Sequence, residues 1–108
     1  MPTSSRLRLR LLHGGDIALG PGKVDLLEGI AELGSIAAAG RRMHMSYRRA
    51  WLLVETMNRC FREPLVEASK GGVSGGGAHV TRFGLEVLAR YRRLETLAAR
   101  EFAEMLDD

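Results

Sequence analysis

The spacing of hydrophobic and polar positions changes several times along the chain, and each change marks an element. From Arg6 to His13 leucines alternate with basic residues, Gly14-Gly15-Asp16 supplies turn residues, and Ile17-Ala18-Leu19 follows. Alternation at period two beside a glycine turn predicts a short N-terminal β-hairpin, which Gly20-Pro21-Gly22 ends. From Lys23 the apolar positions Val24, Leu27, Ile30, Ala31 and Leu33 recur at three and four, and Gly34 supplies a stop; this is the period of a helix. Ser35 is suited to cap a second helix, Ile36 to about Arg42, whose Ala37, Ala38 and Ala39 let another helix approach closely. Met43-His44-Met45 reads as a turn, and Ser46 as the cap of a third helix running to about Phe61. Pro64 blocks continuation, because it has no amide hydrogen and restricts the residue before it.

Leu65 to Ser69 and Ala78 to Val80 suit two short antiparallel strands joined by the glycine-rich stretch between them. Thr81 can cap a long last helix, Arg82 to about Leu106, with apolar residues at Leu85, Leu88, Tyr91, Leu94, Ala98, Phe102 and Met105. Such a helix is roughly 37 Å long at the α-helical rise, longer than the rest of the chain can cover. The expected organisation is a tail and hairpin over residues 1–19, a core over 20–81 and a C-terminal helix over 82–108. The fold class is mainly α with a small β component.

Composition narrows the function classes. A chain of 108 residues is one domain by the usual length prior, and 45% hydrophobic with 27% charged residues is ordinary for a soluble globular protein. No apolar run approaches the ~20 residues of a membrane span, and the N-terminus lacks the apolar centre of a signal peptide, so a cytoplasmic location is expected. The single cysteine, Cys60, has no internal disulfide partner and no histidine at ligand spacing; it reads as a packing residue, and no metal or cofactor is expected.

The net charge of +3 is modest, but its distribution is uneven. From Arg41 to Arg82 eight basic residues (Arg41, Arg42, Arg48, Arg49, Arg59, Arg62, Lys70, Arg82) face three acidic ones (Glu55, Glu63, Glu67). From Glu95 to Asp108 the balance reverses, with Glu95, Glu101, Glu104, Asp107 and Asp108 against Arg100. The middle of the chain suits a polyanion better than its end does.

On a helical wheel the third helix gathers Tyr47, Ala50, Trp51, Val54, Met57, Asn58 and Phe61 on one side. This side belongs to the core, with Trp51 as an anchor and Tyr47 open between packing and base stacking. The other side carries Arg48, Arg49, Leu52, Glu55, Thr56 and Arg59. A helix buried on one face and basic at the start of the other fits the DNA major groove, where arginine bonds guanine O6 and N7 in a fork. A short helix, a three-residue turn and an amphipathic helix make a helix-turn-helix, and the following hairpin makes the wing of a winged helix.

The glycine-rich stretch admits other chemistry, which its spacing rejects. A phosphate loop needs Lys-Ser or Lys-Thr after the last glycine, where Ala78-His79 stands, and a dinucleotide fingerprint needs glycine at Val80. His79 as a base for Ser74 has no acidic residue nearby in sequence to orient it. With no convergent acid, base and nucleophile, the chain reads as a binding protein and not an enzyme.

Gly34-Ser-Ile-Ala-Ala-Ala-Gly-Arg-Arg-Met-His-Met-Ser-Tyr-Arg-Arg-Ala-Trp51 resembles the helix-turn-helix shared by LysR-type regulators and the N-terminal domain of the ModE family of molybdate-responsive regulators. Trp51, Met57-Asn58 and the run Gly71-Gly-Val-Ser-Gly-Gly-Gly-Ala-His-Val-Thr-Arg-Phe-Gly84 are more similar to the ModE branch. The resemblance covers about residues 20 to 100. It implies a winged-helix regulator that dimerises partly through its last helix and binds a palindromic operator near molybdate-transport or molybdoenzyme genes. The molybdate-binding domains of that family have no counterpart in these 108 residues; molybdate sensing is not carried over, and a separate sensing protein is a candidate partner.

The expected site follows. Ser46, Arg48 and Arg49 lie near base edges, with Tyr47 and Thr56 as further candidates; Arg41, Arg42, His44 and Arg59 meet the DNA backbone. Lys70, Ser74 and the amides of Gly75, Gly76 and Gly77 meet phosphate or the minor groove. Leu88, Tyr91, Leu94, Leu97, Ala98, Phe102 and Met105 form the homodimer interface, since an uncovered stripe there exposes a sizeable patch. The alternative is a winged-helix interaction module that pairs with another regulator without binding DNA.

Overall fold

The computed structural model of the protein describes residues 6–69 and 77–107. Its elements run β1 (Leu11–His13), β2 (Asp16–Leu19), α1 (Pro21–Leu33), α2 (Ile36–Arg42), α3 (Tyr47–Cys60), β3 (Val66–Ser69), β4 (Gly77–Val80) and α4 (Arg82–Ala103). β1 and β2 pair antiparallel around Gly14 and Gly15, both at positive φ (57° and 89°), as a two-residue hairpin requires.

α1 begins at Pro21, earlier than the apolar period suggests. Gly20-Pro21-Gly22 opens the helix besides ending the hairpin, because proline at the first helical position loses no bond that the helix would make. Gly34 closes α1 in the left-handed conformation, its amide donating to Ile30 O. Ser35 Oγ, Ser46 Oγ and Thr81 Oγ1 cap α2, α3 and α4, accepting from the amides of Ala38, Arg49 and Gly84.

Val24, Leu26, Leu27 and Ile30 of α1 are fully buried with Ala39, Ala50, Met57 and Leu65. Small residues set the helix separations. A Cβ on Gly29 of α1 would stand 3.1 Å from the Ala39 Cβ, and one on Gly40 of α2 would stand 3.0 Å from the Ala50 Cβ of α3. The expected close approach on α2 is therefore made by Ala39 and Gly40, its two buried residues.

β3 and β4 pair in register from Val66↔Val80 to Ser69↔Gly77. Asn58 fastens this hairpin to α3. Its Oδ1 accepts from the amides of Leu65 (2.8 Å) and Val66 (3.2 Å), and its Nδ2 donates to Val66 O (2.9 Å). On the far side the amide of Ala78 donates to Gly34 O at 3.0 Å. A Cβ on Gly77 would sit 2.7 Å from that same oxygen. Gly77 is thus a packing glycine at the start of β4, which corrects its assignment to the DNA-contacting tip of the wing.

The first turn of α4 lies directly on the chain at Leu65. Thr81 donates its backbone amide to Leu65 O (2.9 Å) and its hydroxyl to Pro64 O (2.8 Å). At Gly84 a methyl group would overlap the Leu65 carbonyl oxygen and approach Val80 Cγ1 to 2.7 Å. Further along, Arg92 bonds Asp25 (2.9 Å) and Glu28 (3.0 Å) of α1 and Glu95 (3.0 Å) of its own helix. Burial works against the Arg92 charge, but the three carboxylates outweigh it and hold the guanidinium above its ordinary pKa.

Four expectations change. Tyr91 is buried, with its hydroxyl donating to Leu9 O at 2.6 Å, so it belongs to the core of its own domain and not to a dimer interface. Burial of the ring pushes its phenol pKa up, and Glu95 adds to the rise. Leu88, likewise, is partly buried against the core. Trp51 is 43% exposed instead of anchoring the core, because it stands one residue round the helix from Ala50 and faces out beside Tyr47. α4 ends at Ala103, and a closing turn carries the chain to Leu106.

Two glycine substitutions separate packing from propensity. Gly84→Ala should destabilise by about 1–3 kcal/mol because the methyl overlaps backbone. Gly22→Ala, an exposed helical position with open space around it, should stabilise by up to about 1 kcal/mol. Denaturant titration gives both signs. The Asn58→Ala variant, which leaves two amides and a carbonyl of the Leu65–Val66 corner without partners, should lose about 1–3 kcal/mol, measured in the same way.

Candidate nucleic-acid interface

The end of α2, the turn and the start of α3 present one polar surface. Gly40 O accepts from the amides of Met43 and Met45, both at 3.0 Å, and His44 donates its amide to Arg41 O. His44 takes φ 59°, a left-handed conformation uncommon outside glycine. It turns the chain sharply from α2 into the extended Ser46, where α3 is capped. Arg41, Arg42, His44, Ser46, Tyr47, Arg48 and Arg49 are all exposed on this surface. The fold therefore gathers the two arginine pairs that the sequence separates by five residues.

Within α3 the exposed residues divide by helical spacing. Tyr47 (58% exposed) and Trp51 stand one turn apart on one shoulder. Arg48, Leu52, Glu55 and Arg59 follow the outermost line, and Arg49 and Thr56 lie on the other shoulder. The aromatic shoulder is the part that the wheel misplaced; its signal was already present, since both rings lie at the margin of the apolar arc.

Ion pairing sorts the basic residues. Arg42 bonds Glu32 at 2.6 Å, Arg59 reaches Asp16 at 3.4 Å, and Arg62 pairs with Glu63 at 3.1 Å while lying 4.8 Å over the Phe83 ring. Among the described residues Arg41, Arg48 and Arg49 make no salt bridge. Their charge is left uncompensated at the N-terminal end of α3. Thr56 is half-buried and its hydroxyl donates to Leu52 O (3.1 Å), back onto its own helix. Arg59 stands three turns from the start of α3, beside the N-terminal hairpin.

Of the wing residues named from the sequence, Lys70, Ser74, Gly75 and Gly76 lie outside the described residues. At the base of the wing the cross-strand register creates an arrangement that linear sequence hides. Ser69 Oγ and His79 Nδ1 are 2.9 Å apart, and His79 Nε2 is 3.7 Å from Glu67 Oε1. The carboxylate missing from the neighbourhood of His79 in sequence is supplied by Glu67, its partner in the ladder. Both side chains are more than half exposed, whereas acid–base chemistry depends on enclosed, preorganised groups.

No protein-family model matches the chain. The molybdenum-pterin-binding protein MopA of Rhodobacter capsulatus is 44% identical over 87 residues, 81% of this chain and 33% of that protein. The transcriptional regulator ModE of Yersinia pestis is 38% identical over 88 residues, 82% of this chain and 34% of that protein. The chain thus spans about a third of the curated relatives it matches. Among solved structures, the DNA-binding domain of CbnR, determined in complex with DNA, superposes with a TM-score of 0.59 over 78% of this chain and 91% of that one. At 24% identity this likeness concerns the fold. Shared sequence over four-fifths of the chain and a helix-turn-helix followed by a wing make this a winged-helix domain similar to part of the ModE-type proteins.

Proposed function

We propose that this domain binds double-stranded DNA in a sequence-selective manner as part of transcriptional regulation. The observation that carries the proposal is the uncompensated charge of Arg41, Arg48 and Arg49 around the exposed start of α3. An exposed, capped helix end with unpaired guanidinium groups is built for base edges and phosphates together. Ser46, Arg48 and Arg49 read bases, with Tyr47 alongside them; Arg41 and His44 meet the backbone. Arg42 already holds Glu32, and Arg59 and Thr56 are turned to partners away from the helix start, so these three contribute less. Lys70, Ser74, Gly75 and Gly76 are carried as wing contacts on sequence alone.

The domain acts as a homodimer on a two-fold operator. Leu94, Leu97 and Phe102 are each about half exposed and Met105 is 76% exposed, and Ala98 continues their stripe; the interface is confined to this C-terminal half of α4. The relatives named for ModE and molybdenum-pterin binding point to molybdate-transport or molybdoenzyme genes as targets, with molybdate sensed elsewhere than in this domain.

Operator selection from a random pool supplies the site, and titration at matched salt then tests the assignment. Arg48→Ala and Arg49→Ala should each lose about 1–3 kcal/mol of operator binding and relax preference at one position. Parent-like binding by both variants overturns the role of α3. Arg41→Ala should weaken operator and random duplex alike and reduce the salt slope by about 1. A parent protein whose binding shows no salt dependence would instead favour the interaction-module function.

A further inference from the structure

The polar face of α3 carries an apolar residue at its centre. With 3.6 residues per turn, Leu52 points about 40° from Arg48 and about 60° from Arg49, between the two arginines and one turn further along the helix. It is 46% exposed, whereas its neighbour Leu53 packs against the core. A lone exposed leucine is ordinary on a protein surface. Leu52 differs in its setting, since the guanidinium groups on either side of it make no salt bridge among the described residues. Beyond it Thr56 directs its hydroxyl to Leu52 O at 3.1 Å, back onto the helix, and the exposed Glu55 marks the end of the basic part of this face.

A leucine side chain has neither donor nor acceptor, so its partner on a base edge must be apolar. In the major groove the apolar group that tells one base from another is the C5 methyl of thymine; the remaining edges present hydrogen-bond donors and acceptors. Reach limits where that methyl lies. Arg48 and Leu52 are four residues apart on a continuous helix, about 6 Å along its axis. Base pairs are stacked about 3.4 Å apart, so the base met by Arg48 and a methyl met by Leu52 are separated by no more than about two base pairs.

We infer that Leu52 is a specificity-determining residue that reads the C5 methyl of a thymine close to the base met by Arg48, an inference that rests on the DNA binding proposed above and names what one apolar side chain adds to it. The contact takes the leucine and the methyl out of water together, and this gain does not depend on phosphate charge. Arg48 and Arg49 attract the polyanion and bond polar base edges, whereas Leu52 separates thymine from cytosine at one position. The apolar residue thus contributes selectivity on a face whose charge contributes affinity for any duplex.

Deoxyuridine in place of each thymine of the selected operator, one position at a time, tests this by titration. The replacement deletes the methyl and leaves base pairing, polar edges and phosphates unchanged. At one position the parent should bind about fourfold more weakly, the effect of one methyl left in water, and that position should lie within about two base pairs of the one relaxed by Arg48→Ala. Leu52→Ala changes an exposed residue outside the core and should bind the thymine and deoxyuridine operators equally. Leu52→Met, which keeps an apolar side chain, and Arg48→Ala should both still distinguish them. A parent indifferent to every replacement, a selected site with no thymine in that window, or a Leu52→Ala variant that keeps the full difference would overturn the reading by Leu52 while leaving the role of α3 standing. A parent that selects no operator would remove both.

Discussion

The corner Pro64-Leu65-Val66 is the constraint on which the rest of the molecule depends. Asn58 of α3 holds both of its amides and one carbonyl, and Thr81 at the start of α4 holds the other two carbonyls. Gly84 then packs so close that a methyl group would overlap the Leu65 carbonyl. Leu65 and Val66 are buried, so their amides and carbonyls have little water to turn to and depend on these partners. One corner thus fixes the wing, the helix before it and the helix after it in a single frame.

From that frame follow the positions of the two charged surfaces. The start of α3 projects on the side of the α2 turn, with its cap made by Ser46 and its course set by Ala50, Val54 and Met57 in the core. α4 leaves the corner in another direction, is tied to α1 through Arg92 and to the N-terminal segment through Tyr91, and then outruns the body. Basic groups gather around the first surface and acidic groups at the far end of the second. Such a separation gives the domain two surfaces of opposite charge on different faces, so that neither masks the other.

Much of this was legible in the chain. Ser35, Ser46 and Thr81 announce three helix starts, since a short oxygen-bearing side chain at an extended residue is the local solution for free helix amides. Gly34 announces the end of α1, and Gly14-Gly15 the hairpin turn. Less legible were contacts between residues distant in sequence. Tyr91 has the right period for an apolar interface stripe, and only the Leu9 carbonyl lying across α4 makes it a core residue. Trp51 looks like an anchor by hydrophobicity, yet stands at the margin of the buried arc.

The sequence by itself determined the order of elements, their caps, the basic start of α3 and the acidic end of α4, because each of these rests on neighbours within a few residues. Tertiary structure decided what each charged or apolar group meets. It gave Arg42 and Arg59 carboxylate partners while leaving Arg41, Arg48 and Arg49 without them, set Glu67 across from His79, and turned Gly77 from a wing tip into a packing contact against Gly34. Those outcomes depend on strand register and helix approach, which are set by the whole core and not by any local pattern.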